Sequence, residues 1–376
     1  MTSLNITPEQ YLDADQVLMN VKSVILEKLA PKVQSIDEGY YPLDVMQALA
    51  QTGALGAHLK MYGSRYDLAL KAMHEVGKTC GSTAFLMWCH MVCGLYMQES
   101  NNPALIARLK DHAEGKSFGG TALSNPMKAF AGIEKMVFKA KKLGDGFEVS
   151  GTLPWVSHIQ TGQYCGAIAT VESDDPQQAP YEIMFLLDLD DRVKLSQCPE
   201  FSGMEGTSTW RINLDGYVVS PEQLIAVPAK PFIQSVKHAF VLLQAGMASG
   251  LIAGSIDSIL EVRQPLGHVN QFLEDSAEQL QAELDDLLAR VMELAKQPLT
   301  APADAFLDVL DARAEGATLA LRATQSALLH QGARGYLKAA APQRRIREAH
   351  FVAIVTPAIK HLRWEMQRLL KEELPA

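Results

Sequence analysis

Between Thr121 and Ser157 the chain reads TALSNPMKAFAGIEKMVFKAKKLGDGFEVSGTLPWVS, and Ser124, Trp155 and Ser157 are the residues in it that could bond or pack against a ligand. Two hydroxyls and an indole near strand ends supply hydrogen bonds and a broad apolar face. The same pattern also suits a generic β-sandwich with a buried tryptophan. A second cluster of chemically able residues is Cys89, His90 and Cys93. At helical spacing the two thiols share a face, which is compatible with a metal site. The surrounding GSTAFLMWCHMVCGLYM is almost wholly apolar, free cysteine is a common core residue, and no second ligand pair lies nearby in the sequence. The reading is core thiols and no metal, with His90 set apart because an unpaired imidazole in an apolar helix is costly.

The elements that must carry these residues follow from periodicity. Thr7-Pro8-Glu9-Gln10 has the form of a helix start, and Val17, Val21, Ile25 and Leu29 continue at helical spacing. Further helices are expected near 42–53, 66–78, 82–99 and 103–114, so residues 1–115 read as an all-helical domain. From 116 to 230 short runs rich in Val, Ile, Phe and Tyr alternate with Gly, Asp and Pro. Strands are expected at 164–171, 181–189, 193–197 and 209–214. Gly144-Asp145-Gly146 marks a hairpin turn, and Thr121–Pro126 reads as a short β-like run with Asn125 extended or turning before the proline. Residues 231–376 return to helical spacing, with long helices near 233–262, 272–296, 302–331 and 343–371 forming a four-helix bundle. The fold class is α+β: helical domain, β domain, helical bundle.

Composition excludes some functions. The chain of 376 residues is 48% hydrophobic and 20% charged, an ordinary globular balance that at this length suggests two to three domains. A net charge of −9 argues against a nucleic-acid partner, which requires a basic face. No signal peptide is visible, and five cysteines, an odd number, suggest reduced thiols and a cytoplasmic location. The most membrane-like stretch, 239–256, carries Gly246, Gly250 and Gly254 at four-residue spacing. Its isolation and its Gln244, Ser249 and Ser255 point to a closely packed bundle helix rather than a membrane span.

The order of these features resembles the acyl-CoA dehydrogenase superfamily. Leu123-Ser124-Asn125-Pro126 is similar to the family's "TEP" strand end, Asp145–Gly151 to its "dGy.lnG" hairpin, and Trp155-Val156-Ser157 to its "W-I-T/S" strand. Arg263-Gln264-Pro265-Leu266-Gly267 resembles "R-x-x-F-G", Gly332-Ala333-Arg334-Gly335-Tyr336 resembles "G-G-x-G-Y", and Arg344–Ala349 resembles "E-R-x-x-R-D-A". The resemblance implies a flavin, usually FAD, between the β domain and the bundle. Leu123 (through its backbone), Ser124, Trp155 and Ser157 would contact the ring. Arg263 would reach the pyrophosphate from a neighbouring subunit, and Gly332 would let backbone approach the adenine half. It also implies a homotetramer or homodimer. Read locally, Arg263 is a solvated helix-end cation and Gly332 a helix C-cap.

The departures from the family pattern concern chemistry. Met127-Lys128-Ala129-Phe130 stands where members carry a Gly-Ser pair. Acyl-CoA dehydrogenation needs a carboxylate to take a proton while the flavin takes a hydride. The two family positions for that carboxylate hold Thr356 and Lys237 here. A threonine hydroxyl is a very poor base, and a lysine is protonated near neutrality unless buried. His90, His238, His350 and Glu261 are the candidate substitutes. The resemblance therefore implies a flavoprotein oxidoreductase acting on the CH–CH group of an acyl thioester or related small substrate. It lacks the usual base, and acyl-CoA, an electron-transfer flavoprotein or a flavin reductase are the candidate partners. The alternatives are a two-component flavin monooxygenase of the same fold, or a scaffold that has lost catalysis.

Overall fold

The computed structural model describes residues 12–172, 179–299 and 305–373. The helix start expected at Thr7 lies outside these. The first described helix is α1 (Ala14–Val24), capped by Asp13, whose carboxylate accepts from the amides of Asp15 and Gln16. Six more helices precede the sheet: α2 (Val33–Asp37), α3 (Leu43–Gln51), α4 (Tyr66–Thr79), α5 (Gly81–Glu99), α6 (Pro103–Ile106) and α7 (Leu109–Ala113). Helix α5 is buried from Gly81 to Met97, as its apolar circumference requires.

The strands are β1 (Gly119–Thr121), β2 (Lys139–Leu143), β3 (Gly146–Val156), β4 (Tyr164–Val171), β5 (Tyr181–Asp188), β6 (Lys194–Gln197), β7 (Trp210–Val219) and β8 (Leu224–Ala226). They form one sheet of order β6-β7-β3-β2-β4-β5-β8, with β1 parallel to the start of β4. The β2–β3 hairpin turns at Gly144-Asp145, as expected. Strand β4 is buried on both faces. Tyr164 and Ile168 join the core shared with the helices, while Cys165, Ala167, Ala169 and Val171 join a second core inside the β layer.

Between β1 and β2 lies a short helix, α8 (Ser124–Phe130), rather than the extended run expected before Pro126. Proline is tolerated in a first helical turn, where its missing N–H has no intrahelical partner. Tertiary bonds hold Asn125 against its pre-proline preference: its Oδ1 accepts from Val137 N at 3.1 Å and its Nδ2 donates to Lys135 O at 2.9 Å.

The remaining helices are α9 (Ala229–Leu242), α10 (Ala245–Glu261), α11 (Arg263–Asn270), α12 (Ala277–Leu294), α13 (Ala305–Gln331), α14 (Ala341–Ile354) and α15 (Ile359–Glu373). Two of the four long helices expected from the sequence are thus interrupted. The first tightens at Leu243-Gln244, where Gln244 N and Gly246 N bond back only three residues. The last stops at Val355 because Pro357 cannot continue the ladder. The 229–261 stretch, apolar and long enough to cross a membrane, has its most apolar window wholly buried inside the protein. Its glycines permit this packing, since a Cβ at Gly250 would lie 2.6 Å from His74 O and 2.7 Å from Gly77 Cα on α4.

Candidate functional site

Strand β3 carries the indole. Leu153 pairs with Ile212 and Val156 with Trp210, so β3 has one more residue than β7 between these pairs. This is a β-bulge, a device that re-aims a side chain. Trp155 sits in it with φ +59° and is 56% exposed. A left-handed conformation is strained for a bulky residue, by about 1–3 kcal/mol. The strain here holds a large apolar face out of the core.

That face borders a cavity of about 310 Å³ between the sheet and the helices. The volume is at the lower end of the range for small-molecule sites. Leu123 and Ser124 come from the head of α8, and Ser157, Thr207 and Thr209 from the ends of β3 and β7. The opposite side is aromatic: Phe85 and Trp88 on α5, Phe240 on α9 and Phe351 on α14. Phe85 meets Phe351 edge-on at 4.6 Å, and Trp88 donates its indole N–H to Phe240 O at 3.1 Å. One wall is therefore hydroxylated and the other dry.

The hydroxyls are ordered. Thr207 donates to Met204 O at 2.7 Å, so its 2.9 Å contact with Thr209 must be donated by Thr209. Ser157 must in turn donate to Thr209 at 2.7 Å. Each hydroxyl has one proton, so Ser157 presents acceptor lone pairs to the cavity. Ser124 Oγ and Thr356 Oγ1 lie 2.9 Å apart and share one proton, leaving the other for a ligand.

Among the described residues no carboxylate lines this cavity; its charged or titratable members are Lys128, Arg347 and His350. Lys128 pairs with Glu134 at 2.7 Å, and Arg347 is bidentate to Asp37 at 2.6 and 2.8 Å. His350 Nδ1 donates to Ile346 O at 2.7 Å, which fixes its tautomer and leaves Nε2 as the basic nitrogen. Glu348, which follows Arg347 in sequence, is buried: it accepts from Gly81 N at 3.1 Å at the head of α5 and pairs with Arg344 at 3.3 Å.

Of the residues singled out from sequence, Leu123, Ser124, Trp155, Ser157 and Thr356 share the cavity, while His90, Lys237, Arg263 and Gly332 do not line it. His90 is fully buried and stacked on His112 with ring centroids 3.6 Å apart. Each donates Nε2–H to the other's carbonyl, at 3.0 and 2.9 Å. The Nδ1 atoms then accept, from Gly119 N in His90 and from Tyr164 OH in His112. Burial pushes His90 down to about 3 and holds His112 well below the usual imidazole range. His90 is a neutral packing residue. Cys89 and Cys93 are buried thiols, with Cys93 pushed up to about 12 by burial.

Lys237 lines a second cavity of about 340 Å³ with Pro357, His361, Glu365 and Arg368. Its ammonium lies 4.1 Å from the Phe306 ring centroid. Thr356 faces the first cavity and Pro357 the second. Glu365 is held below the usual carboxylate range chiefly by Arg368, at 2.6 Å. Arg263 opens α11, half-exposed and paired with Glu278. Gly332 has φ +60°, with nothing near the place of a Cβ. Glu261 is the last residue of α10 and accepts from Gln331, while His238 packs on Phe306 at 4.8 Å. Of the four candidate base substitutes only His350 reaches the first cavity. The signal available in the sequence was its place six residues before Thr356, within the single long helix expected over 343–371.

A flavin fits the residues present. The exposed Trp155 offers a flat apolar face, and Ser124, Ser157 and Thr356 offer one free proton and unpaired acceptors for a polar ring edge.

The chain resembles known proteins throughout. Residues 13–109 match the family model described as acyl-CoA dehydrogenase, N-terminal domain. A probable acyl-CoA dehydrogenase of Bacillus subtilis, YngJ, is 23% identical over 370 residues, 94% of this chain and 95% of that protein. The solved butyryl-CoA dehydrogenase from Megasphaera elsdenii superposes with TM-score 0.83 at 16% identity, covering 98% of this chain and 100% of that one. Dibenzothiophene monooxygenase from Paenibacillus sp. A11-2 superposes with TM-score 0.76 at 16% identity, covering 96% and 98%. The two structural likenesses concern the fold.

Proposed function

We propose that the chain, which belongs to the acyl-CoA dehydrogenase superfamily, is a flavoprotein oxidoreductase that holds a flavin in the Trp155 cavity and lacks a carboxylate base. The observation that carries this reading is the cavity itself: an indole and an ordered row of hydroxyls on one wall, aromatic rings on the other, and no Asp or Glu. When bound, the flavin supplies a two-electron acceptor. Trp155 would cover a ring face, and Ser157 would accept from a ring N–H. The Ser124–Thr356 pair would donate its remaining proton. Phe85, Trp88, Phe240 and Phe351 exclude water and pack an apolar substrate. His350 Nε2, left unbonded by the Nδ1 contact to Ile346 O, is the nitrogen lining the cavity that could accept a proton from a substrate. A positioned base contributes about 10²–10⁴ in rate, so straight-chain acyl-CoAs should bleach the flavin slowly or not at all. Anaerobic mixing of flavin-loaded protein with acyl-CoAs tests this. Rapid bleaching would reveal a base that the cavity does not contain, and Thr356→Glu should raise the rate.

A second reading, a monooxygenase fed with reduced flavin, is favoured by the same lack of a carboxylate and by His350. Oxygen consumption with reduced flavin separates it from the first. A purified chain that stays colourless and does not quench added flavin would leave only the scaffold reading.

FAD is the form this reading favours. Arg263 and Gly332 lie outside the cavity and would serve the adenine half from a second copy of the chain. Exposed Val269, Phe272, Tyr336 and Leu337, on α11 and in the segments following α11 and α13, support a homo-oligomer. Arg263→Ala should weaken FAD about tenfold while sparing FMN, as expected for a charge-assisted bond. Equal loss for both would remove the pyrophosphate role.

A further inference from the structure

Arg313, in the middle of α13, is 1% exposed, yet it makes no ion pair among the described residues. Its Nε donates to Gln244 Oε1 at 2.6 Å and one terminal nitrogen to Val352 O at 2.5 Å; the other has no protein partner. Burial lowers the guanidinium to about 10, so it remains charged at neutral pH. A buried charge without a counter-ion is rare, because an ordinary protein would pair it or replace it with apolar packing.

The bonds lead in one direction. Gln244 passes its own Nε2–H to Thr356 O at 2.9 Å, and Thr356 Oγ1 meets Ser124 Oγ at 2.9 Å on the cavity wall. Gln244 sits where the α9–α10 ladder tightens, and Val352 and Thr356 flank the end of α14. The cation thus stands behind the cavity, two side chains from its surface, while the cavity lining adds no negative charge.

We propose that Arg313 is a positioning residue whose uncompensated charge keeps the Trp155 cavity electropositive, so that the site favours the anionic, reduced form of its flavin over the oxidised form. The proposal rests on the flavin reading above. A low-dielectric interior carries such a field further than water does. The competing view is that Arg313 only clasps the end of α14, where a cation bonds carbonyls favourably. Loss of a clasp weakens both redox forms alike; loss of a field weakens one.

The experiment is spectroelectrochemical titration of the flavin-loaded full chain, giving the ratio of affinities for reduced and oxidised flavin. Arg313→Gln should lower that ratio about tenfold, the effect of a unit charge roughly 10 Å away at an effective dielectric of about 20. For a two-electron couple this is ~30 mV. Gln244→Glu, which supplies the missing counter-charge while keeping Arg313, should lower it similarly. Arg313→Lys should match the wild type only at low pH, where its ammonium is protonated, and fall towards the value of Arg313→Gln as pH rises, because a buried lysine is readily deprotonated. If Arg313→Gln fails to fold, the other two variants carry the test. An unchanged ratio in the neutralised variants, or equal weakening of both forms, overturns the role of Arg313. A wild-type chain that binds neither form overturns the flavin reading, and this inference with it.

Discussion

The molecule holds two clusters of polar side chains that differ in one respect. In the stacked pair of His90 and His112 every bond closes inside the protein: each imidazole gives a proton to the other's backbone and receives one from a neighbour. Around Trp155 the bonding is left open, with a strained indole facing outward, a serine offering lone pairs and a hydroxyl pair holding a spare proton. A cluster that satisfies itself has nothing to give a ligand. An unusual residue in an apolar helix therefore signals packing here, and an incomplete set of hydroxyls at a rim signals binding.

The contrast can be broken most forcefully at His90. His90→Ala removes a bonded, fully packed ring and strands His112 O, so it should destabilise by about 3 kcal/mol in denaturant titrations. Flavin affinity of the folded fraction should be unchanged, and a stable variant that loses flavin would reverse the assignment. Trp155→Ala should do the opposite, lowering flavin affinity roughly 30- to 100-fold by fluorescence quenching with little change in stability. Acid should attack the closed cluster first. Burial depresses His90 to about 3, and it depresses His58, which donates Nε2–H to Met91 O on the neighbouring α5 at 2.8 Å, to about 4, against about 6.5 when unfolded. The unfolded chain then binds more protons below about pH 6.5. The stability these groups contribute is present above that pH and is lost as pH falls through about 4 and 3. Thermal midpoints should drop between pH 7 and pH 4, and a flat profile would contradict the buried neutral assignment. The smallest effect is expected for Ser157→Ala, about fivefold in flavin affinity, the worth of one neutral hydrogen bond of about 1 kcal/mol.

Much of the fold was legible in apolar spacing, because β4, β5 and α5 are buried on all sides and their runs admit few other readings. The helix at Ser124 was not, because Asn125 owes its conformation to partners ten and more residues away. The interruption at Gln244 was hidden for a similar reason, since nothing local marks a glutamine that reaches across to Thr356. Within the site, the motif residues on β3 and α8 converge as the sequence suggested. Arg313 gave no sign of burial, because an arginine in a helix ordinarily reads as a surface cation. Lys237 and Thr356 lie on neighbouring elements yet face different cavities, a division set by the turn at Pro357.

The bulge in β3 reverses the strand's phase. Phe147, Val149 and Leu153 point inward at odd positions, but after the extra residue it is Val156, an even one, that is buried. Deleting Pro154 would bring Leu153 and Val156 back into simple alternation and remove this irregularity in the pairing with β7, leaving the one between Val149 and Gly151. The indole would then stand as an ordinary outward residue of a pleated strand, relieved of its left-handed backbone. The sheet could thus shed one residue and become more conventional, and the protein would lose the platform proposed for its flavin in the same step. Of all the single-residue deletions in this strand, that one separates what the fold needs from what the site needs.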